Sequence, residues 1–145
     1  TGRNEVLVGG YWLPAPSFAA NPETCATQAD AVLAENRIGF LSGSARLDAQ
    51  ARQAINALAG VVRHCVQNAS LRAEIGGHTD SVGSEEGNLA LSLARAESVR
   101  NALAARGIDP AALQAQGYGA SEPIADNTTD EGRAANRRTT VRWIQ

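Results

Sequence analysis

Gly77-His78-Thr79-Asp80-Ser81-Val82-Gly83 and, after four more residues, Asn88-Leu89-Ala90-Leu91-Ser92-Leu93-Ala94-Arg95-Ala96 form the stretch from which the rest of the chain is read. Leading into it, Leu71, Ala73, Ile75 and Gly77 alternate with Arg72, Glu74, Gly76 and His78. That period of two predicts a half-buried strand over 71–79. Residues 81–87 are polar and read as a loop. Over 88–106 the period changes to that of a helix, with Leu89, Leu93, Ala96, Val99 and Leu103 as its apolar stripe. Gly107 stands where a glycine closes a helix. The unit is strand, loop, helix. Its loop lies at the carboxyl end of a strand, where α/β folds bind ligands.

Upstream, Ala51, Ile55, Leu58 and Val62 fall at i, i+4, i+7 and i+11 and predict a helix over 48–66. Residues 37–41 read as a short strand, with Ser42-Gly43-Ser44 as the turn after it. A short helix is expected over 25–35, with Ala29, Val32 and Leu33 on one side. Residues 1–22 read as an arm: Gly9-Gly10, Pro14, Pro16 and Pro22 break any period, while Tyr11, Trp12, Leu13 and Phe18 suggest that part of it docks. Downstream, Asp109-Pro110 opens a helical turn, and 115–120 read as a strand. Thr128 and Glu131 have capping-box spacing for a helix through 137. Residues 139–144 close the chain as a strand. This order predicts an α/β fold, a two-layer sandwich of helices on a four-stranded mixed sheet in the order βαβαβ-αβ. Residues 23–145 form the domain and 1–22 an arm or linker.

The chain has 145 residues and a formal net charge of −2, enough for one domain with a modest arm. Hydrophobic residues make up 43% and charged residues 19%, so a core can form. No apolar run reaches the roughly 18 to 20 residues of a membrane helix. Slight acidity and an aromatic content of 4% exclude the basic footprint and stacking platforms of nucleic-acid binding. All 13 basic residues are arginine, so every fixed cation is a guanidinium, suited to reading carboxylates with two parallel bonds. Cys25 and Cys65 have no CxxC and no ligand histidines around them, which argues against zinc. Spacing leaves them open as buried thiols or as one disulfide. The first residue is Thr1, and no signal peptide is visible; the chain reads as a piece of something longer.

Asn88, Leu91 and Arg95 share a helix face distinct from the packing stripe. Asp80, at the strand end, can face the same cleft. An acid and an arginine held apart over one pocket suit a zwitterion, carboxylate to ammonium and guanidinium to carboxylate. The plainer reading of that spacing is an Asp80–Arg95 salt bridge on an ordinary amphipathic helix. His78 and Asp80, at i and i+2, also suggest a base and its orienting acid. No nucleophile or metal cluster joins them, and His78 is expected to pack at a strand edge. The pair Arg133/Arg137, at i and i+4, reads as a solvated or salt-bridged helix face rather than an anion site.

These motifs resemble the signature of OmpA-like peptidoglycan-binding domains. The resemblance is carried by the two runs quoted first, by Gly117-Tyr118-Gly119 with Pro123-Ile124-Ala125-Asp126-Asn127, and by Gly132-Arg133-Ala134 with Asn136-Arg137-Arg138. It runs in order over 38–143, more than two thirds of the chain. It implies a non-enzymatic module that binds the diaminopimelate residue of the peptide stem and holds the envelope to the wall, without cofactor or metal. Asp80 and Arg95 match the family's acidic and basic ligand residues, and Thr79, Asn88 and Leu91 match neighbouring pocket positions. Arg138 matches a supporting arginine of the closing motif, and Phe40 a position near the rim. The resemblance also implies a periplasmic location, outer-membrane association and a membrane-attached parent protein. In that oxidising compartment a Cys25–Cys65 disulfide is expected. The periplasmic part of a flagellar stator shares the signature, and a protein–protein adaptor on the same fold is a further alternative.

Overall fold

The computed structural model describes residues 5–145. The elements in chain order are β1 (Glu5–Val8), β2 (Tyr11–Pro14), α1 (Pro22–Glu35), α2 (Ala51–Ala69), β3 (Arg72–His78), α3 (Glu85–Ala105), β4 (Leu113–Gly119), α4 (Asp130–Asn136) and β5 (Arg138–Ile144), with one 3₁₀ turn at Pro110–Ala112. The main sheet has the order β4-β3-β5. β3 pairs in parallel with β4 and antiparallel with β5, so the strand carrying the leading motif is central. The α/β class and the helix-on-sheet layering follow the expectation, but the sheet has three strands rather than four.

The missing strand is 37–41. Its backbone groups are spent on its own turn: Gly39 O accepts from Asp48 N at 3.0 Å, and Leu41 N donates to Arg46 O at 2.8 Å. Only a single bridge, Phe40 to Leu47, remains of strand character. Residues 5–14 of the expected arm form an antiparallel hairpin. Leu13 is fully buried in the core. Gly60 of α2 makes that docking possible, because a Cβ there would come within 2.8 Å of Pro14 O. Residues 1–4 of the arm lie outside the described residues.

The α2 stripe is buried as its spacing demands, with Ala51, Ile55, Leu58 and Val62 at 0% exposure. The helix runs three residues beyond 66 and stops at Ser70, a left-handed position with φ +54°. Asn21 and Thr24 make a reciprocal capping box at the start of α1. Cys25 and Cys65 are disulfide-bonded, joining α1 to α2 in the core.

α3 differs from its expected stripe. Ala96, Val99 and Leu103 are buried, but Leu89 and Leu93 are 42% and 41% exposed, and Ser92 is buried in their place. Glycines cause this shift. A Cβ at Gly77 would fall on the Ser92 backbone, and one at Gly117 would sit 2.6 Å from Leu93 N. The helix therefore lies against bare backbone, where only a small residue fits. Ser92 Oγ uses the closeness, accepting from Gly119 N at 2.9 Å and donating to Leu89 O. α3 also starts a turn early, capped by Ser84. α4 is capped by Thr129 rather than Thr128, whose amide and hydroxyl instead engage Asp126.

Candidate functional site

At the carboxyl end of β3 the chain leaves the sheet through Thr79 and Asp80. Thr79 is buried; its N–H donates to Gly119 O and its hydroxyl to Asp80 O, both at 2.9 Å. The Asp80 carboxylate has two fixed contacts. Oδ1 accepts from Val82 N at 2.9 Å, a turn that shapes the loop. Oδ2 accepts from Arg137 Nη1 at 2.6 Å. Burial pushes the Asp80 carboxyl up, but the Val82 N–H and the Arg137 guanidinium outweigh it and hold its pKa below the usual carboxylate value. Asn88, in the first turn of α3, donates from Nδ2 to Val82 O at 3.0 Å, tying the loop to the helix.

Arg95 projects from the next turns of α3. Its Nε donates to Ser44 O at 2.9 Å, and its Cζ lies 4.9 Å from the centre of the Phe40 ring. Among the described residues its two Nη groups have no hydrogen-bond partner. Burial and the charge of Arg137 lower its pKa, and Asp80 opposes them. Arg95, Phe40 and Arg137 line one cleft of about 380 Å³, together with Arg37 and Asp48. Two of its charges are already committed. Asp48 Oδ1 accepts the amides of Gln50 and Ala51, and Arg37 Nη2 donates to Ala134 O and Arg137 O. What remains for a ligand is the open fork of Arg95 over an aromatic ring, with the Asp80–Arg137 pair beside it.

Arg138 lies deeper, in an extension of about 20 Å³ that it lines with His78 and Thr139. Its guanidinium donates to Asn136 O and Glu122 O, so it braces the α4–β5 junction. Leu91 is half-buried on α3 and lines none of these cavities. Asn88 lines a different cleft, of about 270 Å³, with Ser81, Tyr118 and Ser121.

Three readings of individual residues are corrected. Asp80 does not pair with Arg95; its partner is Arg137. Arg137 does not share a helix face with Arg133, because α4 ends at Asn136 and Arg137 is its C-cap, while Arg133 engages Asp130 and Asn127 O. His78 is on the central strand, not an edge. Its Nε2 lies 3.0 Å from Thr140 Oγ1, not on Asp80, and its ring stacks on Tyr118 at 5.0 Å. Burial above all, with Arg138 and Arg142 adding and Glu122 opposing, lowers the His78 pKa to about 4. The sequence reading missed Arg137 and Arg37 as site residues. The signal for Arg137 was its place beside Arg138 after Asn136; placing it in the helix rather than at its C-cap hid it.

Among the described residues no cluster of three His, Cys, Asp or Glu side chains could hold a metal ion. No helix there is long and apolar enough to cross a membrane.

Comparison with known proteins gives the lineage. Residues 39–137 match the model of the OmpA family, from the rim segment through Asp80 and Arg95 to Arg137. The peptidoglycan-binding protein ArfA of Mycobacterium bovis is 36% identical over 140 residues, covering 95% of this chain and 41% of its own length. The probable lipoprotein YiaD of Escherichia coli K12 is 37% identical over 106 residues, covering 73% of this chain and 47% of its own. The crystal structure of the peptidoglycan-associated lipoprotein from Burkholderia pseudomallei superimposes with a TM-score of 0.65 at 27% identity, covering 83% of this chain and 99% of that one. The chain thus spans less than half the length of the curated relatives it matches. With a family match over more than two thirds of the chain and a shared fold, the chain belongs to the OmpA family.

Proposed function

We propose that this domain binds peptidoglycan non-covalently, through the side-chain end of diaminopimelate in the stem peptide. The observation that carries the reading is Arg95: a half-buried guanidinium, steadied by Ser44 O and Phe40, with both Nη groups free to take a carboxylate in two parallel bonds. Asp80, now paired with Arg137, is the acid that would take the ammonium of the same zwitterion. Two relatives whose names speak of peptidoglycan, ArfA and the Burkholderia lipoprotein, support the reading. We read the site as binding rather than catalytic: His78 lies against Thr140 and Tyr118 and forms no base–acid pair with Asp80. The role of the domain is to anchor an outer-membrane or other envelope protein to the wall from the periplasmic side.

One pocket with two charged contacts binds a single stem weakly, in roughly the micromolar to millimolar range. Anchoring then comes from many domains facing a dense lattice of identical stems. Pull-down with purified sacculi tests the function. Wild type should be retained and be released by free meso-diaminopimelate. Retention of Asp80→Ala and Arg95→Ala at the wild-type level would refute the site.

A further inference from the structure

Arg95 and Arg137 line the cleft, whereas Asp80 lies behind it and meets it through Arg137. Its guanidinium is 45% exposed, whereas the Asp80 side chain it covers is 13% exposed. The cation is on the solvent side of the pair and can leave without unfolding anything. The carboxylate cannot follow it into water, because Val82 N–H and the Thr79 hydroxyl fix the Asp80 backbone and one of its oxygens. Bare, Asp80 would be a partly buried, unpaired charge, which is costly. The backbone of Arg137 is also pinned, since Arg37 Nη2 donates to Arg137 O at 2.9 Å and to Ala134 O at 2.7 Å. Any exchange at Asp80 is therefore a swing of one side chain about a fixed main chain.

Resting on the proposed function, we propose that Arg137 is a specificity latch: it occupies the Asp80 carboxylate in the free domain, and only a ligand that brings its own ammonium displaces it. The displaced guanidinium stays in the cleft it lines with Arg95. A carboxylate arriving with the ammonium meets two guanidiniums there and relieves their mutual repulsion. A stem whose side-chain amine is acylated carries no cation to exchange, so the latch holds and the site stays closed to it. The domain thereby selects stems with a free amine.

The test is an NMR titration of wild type, Arg137→Gln, Arg137→Lys and Asp80→Asn. The probes are Nα-acetyl-lysine amide, which has one ammonium and no carboxylate, and its Nε-acetylated form as the neutral control. Without the competing guanidinium, Arg137→Gln should bind the ammonium probe roughly 2- to 10-fold more tightly than wild type. Arg137→Lys, which restores a cation, should return toward wild type. In wild type, the charged probe should move the Arg137 guanidinium resonances and the neutral one should not. Equal or weaker probe binding by Arg137→Gln, with Asp80→Asn still abolishing it, overturns the latch and leaves the site intact. Wild-type binding by Asp80→Asn overturns the reading of Asp80, and the latch falls with it.

Discussion

Asp80 and Arg95 are the two charges of the proposed site, and the fold treats them in opposite ways. Asp80 arrives on a loop, is tied down through Thr79, Val82 and Asn88, and already has a cation on its second oxygen. Arg95 arrives on a long helix, spends its Nε on Ser44 O, and among the described residues its outer nitrogens have no hydrogen-bond partner. In the proposed reading a ligand carboxylate would join Arg95 by addition, whereas a ligand ammonium would join Asp80 by exchange. The difference teaches that recognition of the two ends need not cost the same, although each is one salt bridge.

The largest perturbation tests whether this contrast depends on the scaffold. The Cys25–Cys65 disulfide closes a loop across a separation of 40 residues. Reducing it should remove about 4 kcal/mol of stability in the chain-entropy model and lower Tm by roughly 10 °C. Asp80 and Arg95 lie outside that loop, but Ser44 and Phe40, which steady Arg95, lie inside it, so in the still-folded reduced protein affinity should fall through the Arg95 end while the Asp80 end is unchanged. A reduced protein that melts like the oxidised one would contradict the stapling role.

Next is acid. His78, held to about 4 in the fold against 6.5 for an ordinary histidine, is neutral in the folded state while the unfolded chain takes up protons. The stability it contributes is therefore complete above pH 6.5 and is lost as pH falls toward 4, on the order of 3 kcal/mol in all. Asp80, also depressed, loses its contribution only below the ordinary carboxylate range. Denaturant melts from pH 7 to pH 4 should show the upper limb in wild type and lose it in His78→Gln. An unchanged limb in that variant would assign it to another group.

At the site itself, Asp80→Ala and Arg95→Ala should each weaken diaminopimelate binding by about 1.5 to 3 kcal/mol, because each leaves a charged partner unmatched in a half-closed cleft. Calorimetric titration reads this. A loss at one end alone would mean that the ligand is not held as a zwitterion. The smallest effect is that of salt. Exposed charges are screened as the Debye length falls from about 10 Å at 0.1 M to about 3 Å at 1 M. Retention on sacculi should decline modestly over that range; a rise would point to apolar attachment.

The elements that read correctly from sequence are those with one dominant local cause. The α2 stripe and the alternation of β3 need no knowledge of their neighbours. Asp80 and Arg95 were singled out because their spacing matches a family motif, and the structure places Asp80 at the end of β3 and Arg95 on α3. What escaped reading was set by tertiary contact. Leu89 and Leu93 look like core by period, but Gly77 and Gly117 draw the Ser92 side of α3 inward. Residues 37–41 have strand composition, but their hydrogen bonds close a local turn. The partner of Asp80 lies 57 residues away, beyond a helix end that the pattern placed one residue too late.

The deciding titration adds meso-diaminopimelate to nitrogen-labelled wild-type domain while both guanidiniums are followed by NMR. Saturation should shift the side-chain resonances of Arg95 and Arg137 along one binding curve, together with the Val82 amide that reports on Asp80. Saturable binding that leaves Arg95 and Arg137 unmoved, with shifts instead around Tyr118 and Ser121, would place the ligand in the other cleft and contradict the scheme.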